Sequence, residues 1–135
     1  MMSYLYVALG SATGGVARWS VGNWVQRLGH GLPPAVFPIG TLVVNSTGSF
    51  ILGLLAVLIA RPGAGERADV ARLLLGVGFC GGYTTFSTFS LDTIALLETR
   101  GGLIAAVNVV ASVFAGVIGV AAGMLIARAA LARLG

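Results

Sequence analysis

The sequence is poor in charge and in the residues that build metal and redox sites. Only 9% of its 135 residues are charged, and lysine is absent, so all eight basic residues are arginine. Because Cys80 is the only cysteine, neither an internal disulfide nor a cysteine-based metal site can form within one chain. His30 is the only histidine, which excludes haem ligation by two histidines of one chain and leaves no obvious general base. The sequence therefore argues against an enzyme.

Apolar residues make up 57% of the chain, with a mean hydropathy of +0.98. A soluble domain usually carries about 25% charged residues, so the composition predicts an all-α integral membrane protein. The length allows one domain, residues 1–135, with four spans at about 3–26, 37–60, 70–97 and 103–127. Arg18 interrupts the first apolar run and no basic segment precedes it, which predicts a retained helix rather than a cleaved signal.

The net charge is +4, and most of the arginines lie at the predicted span ends. The sequence has no patch of basic and aromatic residues that would indicate a nucleic-acid partner. An even number of spans places both termini on one side of the membrane. Leaving out Arg18, which lies within a span, that side carries five arginines and the other carries two, Arg27 and Arg100. The imbalance favours cytoplasmic termini.

Small residues recur at helical intervals in three of the predicted spans. Glycines four residues apart allow membrane helices to approach closely. They occur as the pairs Gly10 and Gly14, Gly78 and Gly82, and Gly119 and Gly123. Four helices make a thin bundle, so an oligomer would give these faces more to pack against.

The third predicted span contains a polar stretch, Gly81–Ser90, that hydrocarbon disfavours. It holds two adjacent glycines followed by five hydroxyl side chains, Thr84, Thr85, Ser87, Thr88 and Ser90. The glycines can leave helical geometry at little cost, and a helix broken at membrane depth is tolerated only where it is buried or lines a cavity. Freed carbonyls bind cations, whereas freed N–H groups and hydroxyls bind anions. The alternative is a continuous helix whose hydroxyls bond back to its own carbonyls.

Two aromatic rings and one amide could line a path for an ion. Phe86 and Phe89 are three residues apart and share a helix face; their ring edges could favour an anion, or the rings could be core. Asn45 lies among small and hydroxyl residues, and it could line a wet path or form an interhelical hydrogen bond.

Three further features each have two interpretations. Arg18 could attract anions to a pore mouth, or it could extend to the membrane interface. The stripe of Asn108, Ser112 and Gly116 could line a path or pack against a neighbouring helix. Asp92 could cap a helix or pair with an arginine, and a proton relay is a weaker alternative.

These motifs together resemble the CrcB/Fluc family of small fluoride channels. The resemblance rests on residues 78–90 (GFCGGYTTFSTFS), on 14–19 (GGVARW) and on 40–50 (GTLVVNSTGSF), and it extends over essentially the whole chain. Many relatives carry tyrosine where this chain has Trp19, a change between two amphipathic aromatic residues.

The resemblance implies an antiparallel homodimer with two pores in the bacterial plasma (inner) membrane. Such a channel exports fluoride passively. By the same resemblance, the fluoride path would involve Asn45, Phe86, Ser87, Thr88, Phe89, Ser112 and Arg18. A structural Na⁺ would be held at the dimer centre by the backbone carbonyls of Gly81 and Thr84 from both subunits. The arginine imbalance is larger than antiparallel insertion suggests, so the chain could need an oppositely oriented paralogue.

Two other classes fit the size of the chain. Small four-helix multidrug exporters also resemble it, but they rely on a glutamate in the first span, and this first span has no carboxylate. An anchor subunit of a membrane enzyme complex would be expected to carry haem histidines or a quinone site, for which one histidine gives no support.

Overall fold

Helices account for nearly all of the described chain. The computed structural model describes residues 1–28, 37–61 and 65–133, and no strand occurs in these ranges, which confirms the all-α prediction. The elements are α1 (Met2–Leu28), α2 (Ile39–Ile59), α3 (Gly65–Ala71), a π-helical segment (Arg72–Cys80), α4 (Gly81–Tyr83), α5 (Phe86–Arg100) and α6 (Gly102–Ala132). The predicted loop residues His30, Pro33, Pro34 and Pro62 lie outside the described residues.

Glycines bring α1 against the π-helical segment without intervening side chains. A Cβ added to Gly10 would lie 2.8 Å from the Cα of Gly78, and one added to Gly82 would lie 2.5 Å from the carbonyl oxygen of Ser11. Residue numbers rise together along both helices, so the two run parallel. The contacts confirm that the Gly10–Gly14 and Gly78–Gly82 pairs serve close packing.

The second parallel pair is α2 with α6. A Cβ added to Gly119 would lie 2.8 Å from the carbonyl oxygen of Ser46, and one added to Gly123 would lie 2.8 Å from the amide nitrogen of Leu54. The carboxyl end of α1 meets the amino end of α2, where the Gly40 N–H donates to Gln26 Oε1 at 3.3 Å. Consecutive long helical stretches therefore run antiparallel.

Two described helices are long and apolar enough to cross a membrane, α2 and α6. Helix α1 has 27 residues but carries Arg18 near its middle. The stretch from Gly65 to Arg100 is interrupted only at Thr84 and Thr85. Residues 65–83 are helical throughout, from α3 through the π-helical segment into α4, and α5 follows with 15 residues.

The break in the third stretch lies at Thr84 and Thr85 rather than at the glycine pair. Gly81 keeps right-handed helical angles (φ −65°, ψ −37°), so the prediction that the glycines leave helical geometry is wrong. Thr84 (φ −80°, ψ 160°) and Thr85 (φ −151°, ψ 117°) are extended. Gly82 is needed instead for the close approach of Ser11 described above.

Candidate functional site

Asn45 on α2 holds the break open through two hydrogen bonds to one residue. The Thr85 N–H donates to Asn45 Oδ1 at 2.7 Å, and Asn45 Nδ2 donates to the Thr85 carbonyl at 3.0 Å. A side-chain amide matches the donor and acceptor of a peptide group, so it gives the Thr85 N–H the acceptor that the break removes and adds a donor to the Thr85 carbonyl. The structure thus shows Asn45 in the interhelical hydrogen bond that was one of its two interpretations.

The carbonyls of Gly81 and Thr84 are among those that lose their helical donors at this break. In a continuous helix the Gly81 carbonyl would accept from the N–H of Thr85, which here donates to Asn45. The Thr84 carbonyl would accept from the N–H of Thr88, which here donates to Thr85 Oγ1 at 3.2 Å. The only contact described for the Thr84 carbonyl is a long one, 3.4 Å, from Arg18 Nη1. The two carbonyls predicted to ligate Na⁺ are therefore among those that the break deprives of their usual donors.

Helix α5 begins with a cluster of three hydroxyls, those of Thr85, Ser87 and Thr88. Thr85 caps the helix, and its Oγ1 lies 3.2 Å from Ser87 Oγ and 3.0 Å from Thr88 Oγ1. The first N–H groups of a helix have no intrahelical acceptor and carry a partial positive charge. The amino end of α5 therefore combines hydroxyls with backbone donors, an arrangement that favours anions.

The other serine and threonine hydroxyls of the polar stretch, those of Thr84 and Ser90, bond to the backbone. Thr84 Oγ1 donates to the Cys80 carbonyl at 2.9 Å, and Ser90 Oγ donates to the Phe86 carbonyl at 2.9 Å. These are the back-bonds expected of hydroxyls within a helix. The stretch thus contains both predicted arrangements, with the capping cluster between two back-bonded residues.

An open cavity of about 400 Å³, here called the aromatic cavity, lies beside the break. The Phe86 and Phe89 rings line it with their centroids 5.5 Å apart and their planes at 46°. Phe86 is 79% exposed. None of the described residues that line this cavity is charged, and its polar lining comes from Asn45, Ser49, Thr84, Thr85 and Ser112.

A second cavity of about 380 Å³, here called the charged cavity, lies on the other side of Thr85. It contains the guanidinium of Arg18 and the carboxylate of Asp92, whose Oδ2 accepts from Thr41 Oγ1 at 2.7 Å. Thr88 also lines it, and Thr85 lines both cavities. The capping residue of α5 therefore separates an uncharged chamber from a charged one.

The structure brings most of the predicted site residues to these two cavities. Asn45, Phe86, Phe89, Ser112, Gly81 and Thr84 line the aromatic cavity, while Arg18 and Thr88 line the charged cavity. Ser87 joins them through its hydroxyl contact with Thr85. Of the stripe on α6, Ser112 and Gly116 line the aromatic cavity and Asn108 lines neither. Sequence reasoning missed the capping role of Thr85, although threonine is one of the residues preferred at the capping position before a helix.

Comparisons with known proteins connect this site to a family. A family model described as "CrcB-like protein, Camphor Resistance (CrcB)" matches residues 5–124. A "Fluoride-specific ion channel FluC" of Rhizobium leguminosarum bv. trifolii (strain WSM2304) is 46% identical over 130 residues, covering 96% of this chain and 98% of the relative. A protein of the same name from Coxiella burnetii (strain CbuK_Q154) is 44% identical over 127 residues, covering 94% and 98%.

We predict that Asn45→Asp destabilises the fold. The carboxylate can still accept from the Thr85 N–H, but it cannot donate to the Thr85 carbonyl. Losing that bond and opposing two acceptors should cost about 1–3 kcal/mol, measured as a lower midpoint of thermal unfolding in detergent. Ser46→Ala is the control, because Ser46 Oγ only bonds back to the Leu42 carbonyl; its midpoint should stay near that of the wild type. Equal midpoints for both variants would contradict the prediction.

Proposed function

The chain belongs to the CrcB-like family, and from this premise we propose that it is a fluoride-selective ion channel. It is a membrane protein and not an enzyme. The observation that carries the proposal is the break at Thr85, where a helix amino end and three hydroxyls lie between the two cavities. The chain matches these relatives over nearly their whole length, and both are named fluoride-specific ion channels.

The chemistry of the site suits a small, strongly hydrated anion. A selective path must replace the water around fluoride with many donors, yet it must not hold the ion so tightly that it cannot leave. The aromatic cavity offers hydroxyls and aromatic ring edges without a fixed charge. Ser112 on α6 lines this cavity together with Phe86 and Phe89 on α5 and with Asn45 on α2. The lining is therefore a set of neutral groups on three helices.

The charged cavity supplies the entry to this path. Arg18 attracts anions towards the amino end of α5. The hydroxyls of Thr88 and Ser87 then donate hydrogen bonds to the ion as it passes Thr85 towards the Phe86 and Phe89 rings. Asp92, bonded to Thr41, lies in the same cavity and limits its positive charge. A guanidinium alone would hold an anion more strongly than transit allows.

The proposal includes an antiparallel homodimer of four-span subunits with two pores, in the bacterial plasma membrane. The aromatic cavity is open along one side and Phe86 is largely exposed, so a second subunit would close the path. Both subunit orientations must then insert despite the uneven arginines.

Labelling of an introduced cysteine from one side of sealed cells tests the two orientations. Ala60→Cys in a Cys80→Ala background places the only cysteine at an exposed position at the end of α2 and keeps every arginine. With equal insertion of both orientations, roughly half of the copies should react with a membrane-impermeant maleimide, whereas full or absent labelling would indicate one orientation.

A structural Na⁺ between the subunits is also part of the proposal. The Gly81 and Thr84 carbonyls fit such an ion, since both lack their helical donors and oxygen ligands suit a hard cation. A Cβ on Gly81 would meet nothing within 4 Å, so this part of the chain leaves room for a partner. When bound, the ion would supply a positive charge shared by the broken helices of both subunits.

Proteoliposomes that contain this protein should release fluoride rapidly and chloride hardly at all. The expected selectivity follows from the neutral donor lining, and ion-selective electrodes measure both effluxes. Empty liposomes are the control. Release that requires a proton gradient would instead support the exporter of the multidrug type, and equal release of both halides would contradict a selective channel.

Removing either pore ring should slow fluoride efflux while the oligomer persists. Phe86→Ala and Phe89→Ala each delete ring edges from the aromatic cavity, and we expect a decrease of at least tenfold, equivalent to about 1.4 kcal/mol. Phe114→Ala is the matched control, because Phe114 on α6 is 63% exposed and lines neither cavity. Unchanged efflux in both ring variants, with intact oligomers in size-exclusion chromatography, would remove the rings from the path.

Na⁺ should stabilise the dimer independently of flux. At a hundredfold excess over its Kd, one bound ion adds about 2.7 kcal/mol, so the thermal midpoint in NaCl should exceed that in N-methylglucamine chloride of equal ionic strength. Asn45→Ala should reduce this difference, because the Thr85 N–H can then return to the Gly81 carbonyl. Identical wild-type midpoints in the two salts would exclude the ion.

A further inference from the structure

Asn108 on α6 is a buried amide that takes part in neither cavity. It is 1% exposed, and its Nδ2 donates to Thr93 Oγ1 on α5 at 2.8 Å. Thr93 Oγ1 in turn donates to the carbonyl of Phe89 at 2.7 Å. The amide of α6 is thereby linked through one hydroxyl to the backbone of an aromatic residue that lines the aromatic cavity.

The relay fixes the hydroxyl in one orientation. Thr93 Oγ1 accepts from Asn108 Nδ2, so its single proton is free to point only at the Phe89 carbonyl, to which it donates. A buried amide that loses its partner is costly, and α5 is therefore held to α6 at this level. The apolar residues Leu96 and Ala105, both buried, also occur on these two helices. The hairpin thus does not depend on the relay alone to stay closed.

The relay lies close to the two walls of the aromatic cavity. Ser112 is one helical turn beyond Asn108 on α6, and Phe89 is one turn before Thr93 on α5. Ser112 and Phe89 both line the cavity. A change in the separation of the helices at Asn108 and Thr93 would therefore change the width of the aromatic cavity between the Ser112 hydroxyl and the Phe89 ring.

We propose that Asn108 is a positioning residue that acts through Thr93 to set the spacing between Phe89 and Ser112, and that this spacing determines the discrimination of fluoride from chloride. This inference rests on the proposed function. Asn108 itself does not touch the ion. Without the relay the two walls can separate, and a wider cavity admits the larger halide.

The test compares the effluxes of fluoride and chloride from proteoliposomes for variants at position 93. Thr93→Val keeps the side-chain shape but removes the hydroxyl, and we expect the fluoride-to-chloride ratio to fall roughly tenfold, as one coupled hydrogen-bond network permits. Thr93→Ser keeps the hydroxyl and should retain the wild-type ratio within about twofold. Thr99→Val is the matched control, because the Thr99 hydroxyl bonds back to the Ala95 carbonyl on the exposed surface of the same helix.

Asn108→Leu alone and combined with Thr93→Val completes a double-mutant cycle. If the two residues act as one relay, the double variant should be no less selective than the more impaired single variant. If Asn108→Leu does not fold, the three position-93 and position-99 variants decide the matter. A merely structural role would reduce both effluxes together and leave their ratio unchanged.

The possible failures are distinguishable. A wild-type protein without fluoride efflux overturns the proposed function and this inference with it. The inference alone is overturned if the wild-type protein conducts fluoride selectively and Thr93→Val has the same fluoride-to-chloride ratio as Thr99→Val. Additive effects of Thr93→Val and Asn108→Leu on the ratio would also overturn it, because they would show two independent contributions.

Discussion

The pairing of the Asn45 amide with the peptide group of Thr85 is the constraint on which the site depends. Its two hydrogen bonds, 2.7 Å and 3.0 Å, supply the Thr85 N–H with the acceptor that the break removes and tie the Thr85 carbonyl to α2. An unpaired buried polar group costs about 1–3 kcal/mol, and the cost rises in hydrocarbon. The break is therefore tolerated because a neighbouring helix supplies the amide. From this one contact follow the freed carbonyls before the break and the freed N–H groups after it.

The packing of α2 brings Asn45 close enough to make this contact. Gly48 lies one turn further along α2, and a Cβ there would lie 3.0 Å from Cδ1 of Tyr83, the last residue of α4. Thr47 Oγ1 lies 3.0 Å from the Tyr83 hydroxyl, which ties the two helices together beside the break. A larger residue at Gly48 would push α2 away from α4. The glycine therefore contributes to the site through the distance it permits rather than through its own flexibility.

From the sequence, the kinds of secondary structure and the residues of the site were predicted better than the hydrogen-bond partners of those residues. Composition and hydropathy indicated an all-α protein, and the run of hydroxyls marked the broken helix. The predicted position of the break was wrong by a few residues, because the prediction considered only the backbone freedom of the glycine pair. What decides the position is the amide of Asn45, which lies 40 residues from Thr85 in sequence. Contacts of such separation depend on how α2 packs, which no local pattern in a single sequence reports.

The two cavities show why the break is more useful than a continuous helix would be. A continuous helix would use its own carbonyls and N–H groups and would present only side chains to an ion. The capped break instead exposes backbone donors at the start of α5, next to the hydroxyls of Ser87 and Thr88. In the described part of the chain, Arg18 and Asp92 put charge into one cavity, and the side chains that line the cavity with the rings are neutral. Under the proposed function, an ion would be attracted at one side of Thr85 and released at the other, since selectivity by neutral donors does not require tight binding.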